Sequence, residues 1–443
     1  MTDPSAGPQT ALDQTNPPEP PPVPLAELVR VWTRIGLLSF GGPAGQIALM
    51  HREIVDKRGW LTEAQYLNAV SFCMLLPGPE ATQIATYAGW RSRGWRGGLI
   101  AGGLFVLPGA AIILTLAALY AALGSVPWFQ AVFLGIKAAV VVIVIEALLR
   151  VANRALGSAD RWVVAALAFV AIFVFALPYP LIVLASALYG FVVYDRASDA
   201  PIAPVTGVPL RQTALTILLW GAIWAAPLAV LALVDPGGLL LDVGLFFSKL
   251  AVVTFGGAYA VLTYMAQDVV TSYGWLEASE MLDGLGLAET TPGPLILVTE
   301  FVGYLAAAKA GGPLLAVAGA VLTLWVTFVP CFLWIFTGAP YIQWITAQPR
   351  LKGALTGIMA AVVGVIGNLS LWFAMHVFFA EVGQAELGPV SFAWPELATV
   401  QPAAIALAVL AGYLLLVRHW SLLAVLAVSS LGGIAWSFAT GAI

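Results

Sequence analysis

Charge is what this sequence has least of. Only 9% of its 443 residues are Asp, Glu, Lys or Arg, where a soluble domain carries about 25%. Forty-two charged side chains (19 basic plus 23 acidic) are too few to cover a water-soluble fold of this length. The net charge of −4 comes without a strongly basic stretch, so nucleic acid is not an expected partner. Cysteine is nearly absent as well. Cys73 and Cys331 stand far apart in apolar runs and imply neither a disulfide framework nor a metal site. His51, His376 and His419 are scattered. HExxH, CxxC, GxSxG and DDxxD-like runs are all missing, and so is a nucleotide-binding P-loop. Zinc hydrolysis, serine hydrolysis and lipid-phosphate chemistry lack their residues, no cofactor is expected, and any transport must draw on a gradient unless a partner supplies ATP.

What fills the chain is apolar. Hydrophobic residues make up 60% and the mean hydropathy is +0.93, so the solvent for most of the chain is lipid. Residues 1–24 hold eight prolines and no Lys or Arg. They read as a disordered tail, not a signal peptide. From Leu28 onward, helix-length apolar runs follow one another at approximately 28–50, 65–89, 98–122, 131–149, 162–177, 180–194, 213–234, 245–265, 281–307, 313–337, 353–379, 396–417 and 420–440. The expectation is an all-α polytopic membrane protein of about 13 segments, because uninterrupted runs suit helices and alternation would suit a barrel. With the N-terminus inside, twelve basic residues fall on the cytoplasmic side and Arg52, Lys57, Arg58 and Lys309 outside. Re-entrant second and ninth segments, with the N-terminus outside, divide the charges equally well.

Shifted by 215 residues, the sequence aligns on itself. Phe40-Gly41-Gly42 meets Phe255-Gly256-Gly257, Gly59-Trp60-Leu61 meets Gly274-Trp275-Leu276, and Pro77-Gly78-Pro79 meets Pro292-Gly293-Pro294. Met50, Val55 and Leu67 meet Met265, Val270 and Leu282, and Arg34 falls on Lys249. Gly135 and Ala138–Val141 align with Gly357 and Ala360–Val363 after a seven-residue insertion. Composition alone would align Ala and Leu, but not Gly, Trp and Pro in one register. The expected organisation is a repeat over 25–195, a linker and connecting helix over 196–243, and a second repeat over 244–443. An odd number of crossings between the two starts inverts one copy relative to the other, a recurring transporter design.

The motifs resemble a known family, the chromate ion transporters in their long two-domain form. The likeness rests on Phe40-Gly41-Gly42-Pro43, on Leu75-Leu76-Pro77-Gly78-Pro79-Glu80-Ala81-Thr82-Gln83 and on Gly102-Gly103-Leu104-Phe105-Val106-Leu107-Pro108-Gly109. In the second copy it rests on residues 254–260 and 285–294. The resemblance implies a bacterial or archaeal inner-membrane protein that exports chromate, with sulfate as the look-alike anion. One departure is Ala258, where the first copy has Pro43. A homodimer is left open.

Pro-Gly-Pro inside an apolar segment breaks a helix, since each Pro removes a donor and Gly admits positive φ. Pro79 and Pro294 can each start a half-helix, and the free amides behind them, with the positive end of the helix dipole, suit an anion. The substrate-binding candidates are therefore Pro77, Gly78, Pro79, Glu80, Thr82 and Gln83, and Thr290, Thr291, Pro292, Gly293 and Pro294. Gly41, Gly42, Gly256 and Gly257 offer either close backbone approach or helix packing. Arg34 and Lys249 are the symmetric cations, to be weighed against side chains that snorkel to headgroups. Glu80, Lys137 and Glu146 are the coupling candidates. Glu80 stands alone at an expected anion site, where an ionised carboxylate repels the substrate and a neutral one donates to it. Lys137 has no basic counterpart, and Glu146 lies nearest on the same helix.

Overall fold

The computed structural model describes residues 23–124, 126–194, 209–255, 257–387 and 390–441. The first half runs through α1 (Leu25–Leu38), α2 (Gly42–His51), α3 (Glu63–Leu75), α4 (Glu80–Leu123), α5 (Pro127–Ala155), α6 (Ala159–Phe173) and α7 (Tyr179–Val193). After α8 (Leu210–Val234), the second half runs through α9 (Leu239–Val253), α10 (Ala258–Gln267), α11 (Ala278–Thr290), α12 (Val298–Gly311), α13 (Pro313–Gly338), the short α14 (Ile342–Thr346), α15 (Pro349–Phe378), α16 (Pro402–Gly412) and α17 (Leu422–Ala439). One antiparallel hairpin, β1 (Val382–Leu387) with β2 (Val390–Pro395), interrupts the helices. The sequence pattern had no place for it.

Six of the described helical runs are long and apolar enough to cross a membrane. The protein is thus helical and multi-pass, as its composition requires. Large apolar side chains such as Leu184, Leu218, Leu233 and Leu314 are exposed, and α8 buries no residue at all. In water these faces would be costly; in lipid they are the expected surface.

The longest run, α4, is two helices. Arg93 and Gly94 leave helical geometry (φ/ψ −155/34 and 61/−158). A Cβ on Gly89 would overlap the carbonyl of Gly97, and one on Gly98 or Gly102 would meet Thr86. Residues eight to sixteen apart touch only if the chain folds back, so α4 has a first arm (80–92) and a second arm (95–123). Glycine lets the two backbones approach closely. The α12–α13 turn at Gly312 is built alike, with Gly303 against Gly319 and Thr323.

The halves are interleaved. Gly135 of α5 lies on the Ser429 backbone of α17, and Gly357 of α15 lies on the Ser186 backbone of α7. Each half therefore closes a helix of the other against its own. The apolar core is continuous through both, from Leu28 and Trp32 to Val425 and Leu426.

Candidate anion site

Each half is broken twice. The first break lies between α1 and α2 and between α9 and α10; the second between α3 and α4 and before α12. Gly78 and Gly293 take φ of +108° and +101°, a conformation that glycine reaches without Cβ strain. This is the geometry that Pro-Gly-Pro sets locally. The breaks of the two halves then join each other. Gly78 N donates to Thr254 O at 2.8 Å, and Gly293 N donates to Ser39 O at 2.9 Å. Both donor and acceptor pairs are 215 residues apart. Gln46 Nε2 adds a bond to Gly293 O (2.6 Å), and Gln83 Nε2 one to Pro77 O (2.6 Å). These bonds satisfy backbone groups that a helix break in lipid would otherwise strand.

A cavity of about 170 Å³ opens beside the first Pro-Gly-Pro. Gly78, Glu80, Cys73 and Met74 form one wall, Pro43, Ala44 and Ile47 of α2 another, Gly257, Ala258 and Tyr259 a third, and Arg150 and Arg154 of α5 with Met359 of α15 the last. No side chain caps the helix that starts at Glu80, so its first amides and dipole are directed at the break. Arg150 reaches Glu146 at 2.5 Å. Tyr259 donates its hydroxyl to Glu289 Oε1 at 2.9 Å, and Arg150 and Glu146 act electrostatically on both. For Arg154 no carboxylate lies in ion-pair range among the described residues. Two guanidiniums, an uncapped helix start and neutral glycine backbone at one cavity can bind a tetrahedral oxyanion.

The expected site residues divide. Gly78, Glu80 and Gly257 line the cavity; Pro77 and Pro79 shape its wall, and Gly41 and Gly42, both at positive φ, turn the chain into α2. Thr82 and Gln83 are buried just behind, and Thr82 Oγ1 and Gln83 Oε1 have no hydrogen-bond partner. In the second half, Pro292, Gly293 and Pro294 are buried against Gly109 and Phe105 of α4. Thr290 and Thr291 both donate their hydroxyls to Leu287 O, which leaves them no proton for an anion. Gly256 lies outside the described residues. Arg34 is exposed on α1. Lys249 lines a different, larger cavity of about 290 Å³ with Asp268 and Gln267, and sits 5.3 Å over the Tyr264 ring. Lys137 does not pair with Glu146: it meets Asp283 at 3.2 Å, across the boundary between the halves. The reason is rotation about α5, since nine residues place Glu146 well round the helix from Lys137.

Sequence reasoning missed Arg150, Arg154, Tyr259 and Glu289 as site residues. Arg150 and Arg154 were counted only as topology signals. Their signal was present: Glu146, Arg150 and Arg154 recur every fourth residue, one stripe of a helix. Tyr259 and Glu289 stand inside the second-copy motifs 254–260 and 285–294, but nothing in the sequence pairs them, because their meeting depends on the fold.

Comparison with known proteins identifies the family. The family described as "Chromate transporter" matches residues 26–191 and 241–435. A chromate transport protein of Pseudomonas aeruginosa is 33% identical over 372 residues, 82% of this chain and 84% of that one. Its counterpart in Cupriavidus metallidurans is 30% identical, covering 77% and 80%. An uncharacterized transporter of Bacillus subtilis is 29% identical over 157 residues, which is 35% of this chain but 88% of that shorter protein. No solved structure matches. The chain is a membrane transporter and not an enzyme, and it belongs to the chromate transporter family.

Proposed function

We propose that the protein exports chromate across the bacterial or archaeal inner membrane by alternating access, driven by an ion gradient or the membrane potential. The observation that carries this reading is the cavity where an uncapped half-helix and two arginines converge in a chain of this family. Chromate is a tetrahedral dianion. Arg150 offers it a fork, Arg154 a second charge, and the amides after Pro79 a further set of donors. Glu146 holds Arg150 until the anion competes for it. Sulfate has the same shape and charge and is the expected competitor.

The reading includes opposed orientation of the two halves. Arg93 donates to Val23 O, His51 meets Glu63, Phe72 packs on Gly338 and Thr213 bonds Tyr341. These contacts bring the start of α1, the α2–α3 turn, the elbow of α4, the end of α13 and the start of α8 to one face. Tyr120 on Asp283 and Lys309 on Glu280 bring α11 and the α12–α13 turn to the other. We infer that α1–α2 and α3 with the first arm of α4 dip in from one face and return to it, while α9–α10 and α11–α12 dip in from the opposite face. Full crossings fall to the second arm of α4, α5 to α8, α13 and α15 to α17. This replaces thirteen straight crossings with fewer crossings and four opposed pairs of half-helices. It gathers every Lys and Arg on one face except Lys137, Lys249 and Lys309, leaving aside Arg196, which lies outside the described residues. That asymmetry makes the face with the arginine cavity cytoplasmic.

The test is labelled chromate flux into inside-out vesicles. Accumulation that falls when sulfate is added, and when either the pH gradient or the potential is collapsed, supports export. Vesicles that accumulate no chromate under any gradient, or only when right side out, overturn it.

A further inference from the structure

We propose that Lys137, Asp283 and Tyr120 form the outer gate of this transporter, a proposal that rests on the alternating-access reading above. Lys137 belongs to α5 in the first half and Asp283 to α11 in the second. Lys137 Nζ lies 3.2 Å from Asp283 Oδ1, and Tyr120 donates its hydroxyl to Asp283 Oδ2 at 2.7 Å. Asp283 is 5% exposed. A carboxylate so placed needs its cation, because parting them leaves a charge uncompensated in low dielectric. The group is walled by aromatic rings, with Tyr120 edge-on to Phe133 and Phe301 at 5.5 and 5.3 Å. One turn further in, Gly286 of α11 lies on Ile136 and Val140 of α5. The contact therefore plugs the seam between the halves over a buried carboxylate, with the Lys137 side chain partly exposed at its edge.

Its position gives it a task. Lys137 and Arg150 are on one helix, thirteen residues and about 20 Å apart, so the plug and the anion cavity sit toward opposite ends of α5. The repeat supplies a control within the same molecule. The positions equivalent to Lys137 and Asp283 are Met359 and Asn68. Neither carries charge, and Met359 lines the open cavity. The face with the charged plug is shut, and the face with the uncharged equivalents is open. Opening outward requires α11 to part from α5, and the ion pair is the charged link that must break for it to do so.

The test uses the full chain in membranes, with Cys73 and Cys331 replaced by alanine. Val140→Cys, 1% exposed behind the plug, reports the outer path through an impermeant maleimide added outside. Met359→Cys reports the cytoplasmic cavity in inside-out vesicles. Lys137→Met and the milder Tyr120→Phe are expected to raise outer labelling on the order of tenfold and to lower inner labelling, while chromate flux falls. The exchanged pair Lys137→Asp with Asp283→Lys is expected to restore both patterns. Outer labelling that stays unchanged, or labelling that rises on both faces together as in a loosened fold, overturns the gate. If the unmodified chain carries no chromate, the transport reading fails instead, and the labelling still reports on the plug.

Discussion

Arg150 shows how one side chain can be legible in kind and illegible in role. Its charge near a helix end was plain, and so was its spacing from Glu146. That the stripe faces a cavity at a break about seventy residues distant in sequence was not, because helix rotation is set by packing. Held at 2.5 Å by Glu146, Arg150 would meet the proposed anion with an internal competitor already in place. Arg150→Ala should cut chromate transport by about tenfold or more, the worth of a hydrogen bond to a charged group, and Arg150→Lys should recover only part, since a point charge lacks the fork. Glu146→Gln should lower KM for chromate while slowing turnover. Equal KM in all three variants and the parent would remove Arg150 from the site. A second residue-scale expectation concerns Glu53, buried in the turn after α2 between Lys57 (2.7 Å) and Arg58 (2.6 Å). The hydrogen bond from Lys57, helped by Arg58 and opposed by burial, holds its carboxyl down to about 2. A folded-state value below the unfolded one stabilises above the ordinary carboxylate range and is lost as pH falls toward 2. Glu53→Gln should therefore melt below the parent in detergent at pH 7, with the gap closing as the pH falls from about 5 toward 2. A constant gap across that range would mean that the ion pairs contribute nothing.

At the scale of elements, the breaks were readable and their neighbours were not. Two prolines around a glycine state a helix break outright, and Gly78 and Gly293 adopt the positive φ that the motif calls for. The elbow of α4 falls in the gap between the apolar runs 65–89 and 98–122, where Arg91, Arg93, Gly94 and Arg96 gather. The β hairpin between α15 and α16 fell in a gap between apolar runs. The two copies of Pro-Gly-Pro also differ in a way their identical letters conceal. The first borders the cavity, whereas the second is packed against the second arm of α4. The packing there is tight: a Cβ on Gly109 would overlap the Pro292 carbonyl oxygen, while one on Gly103, six residues earlier, would meet nothing within 4 Å. Gly109→Ala should destabilise by about 1–3 kcal/mol, the usual cost of overpacking. Gly103→Ala should be neutral or gain up to about 1 kcal/mol from helix propensity. Thermal unfolding in detergent decides it, and equal melting temperatures would mean that the second break yields freely.

Across the whole molecule, the 215-residue echo made the duplication visible without coordinates, but it could not show that the two copies are interleaved. The α5 of one half packs on α17 of the other, and α15 packs on α7. The first-half break is bonded to the second-half one through Gly78 and Thr254, and the reverse through Gly293 and Ser39. Each half, then, leaves backbone groups of its breaks unpaired until the other arrives, a severe cost in lipid. A relative in Bacillus subtilis that aligns over most of its length with little more than a third of this chain fits a design in which two such units make one transporter. The chain cut between residues 195 and 208 should accordingly yield two fragments that are degraded or aggregated when expressed singly. Co-expressed, they should copurify and regain chromate flux. If either fragment alone is stable and carries chromate, the cross-bonded breaks are not what holds the site. If the pair copurifies but stays inactive even with a flexible linker restored, assembly of the two halves through the cross-bonded breaks does not suffice for transport.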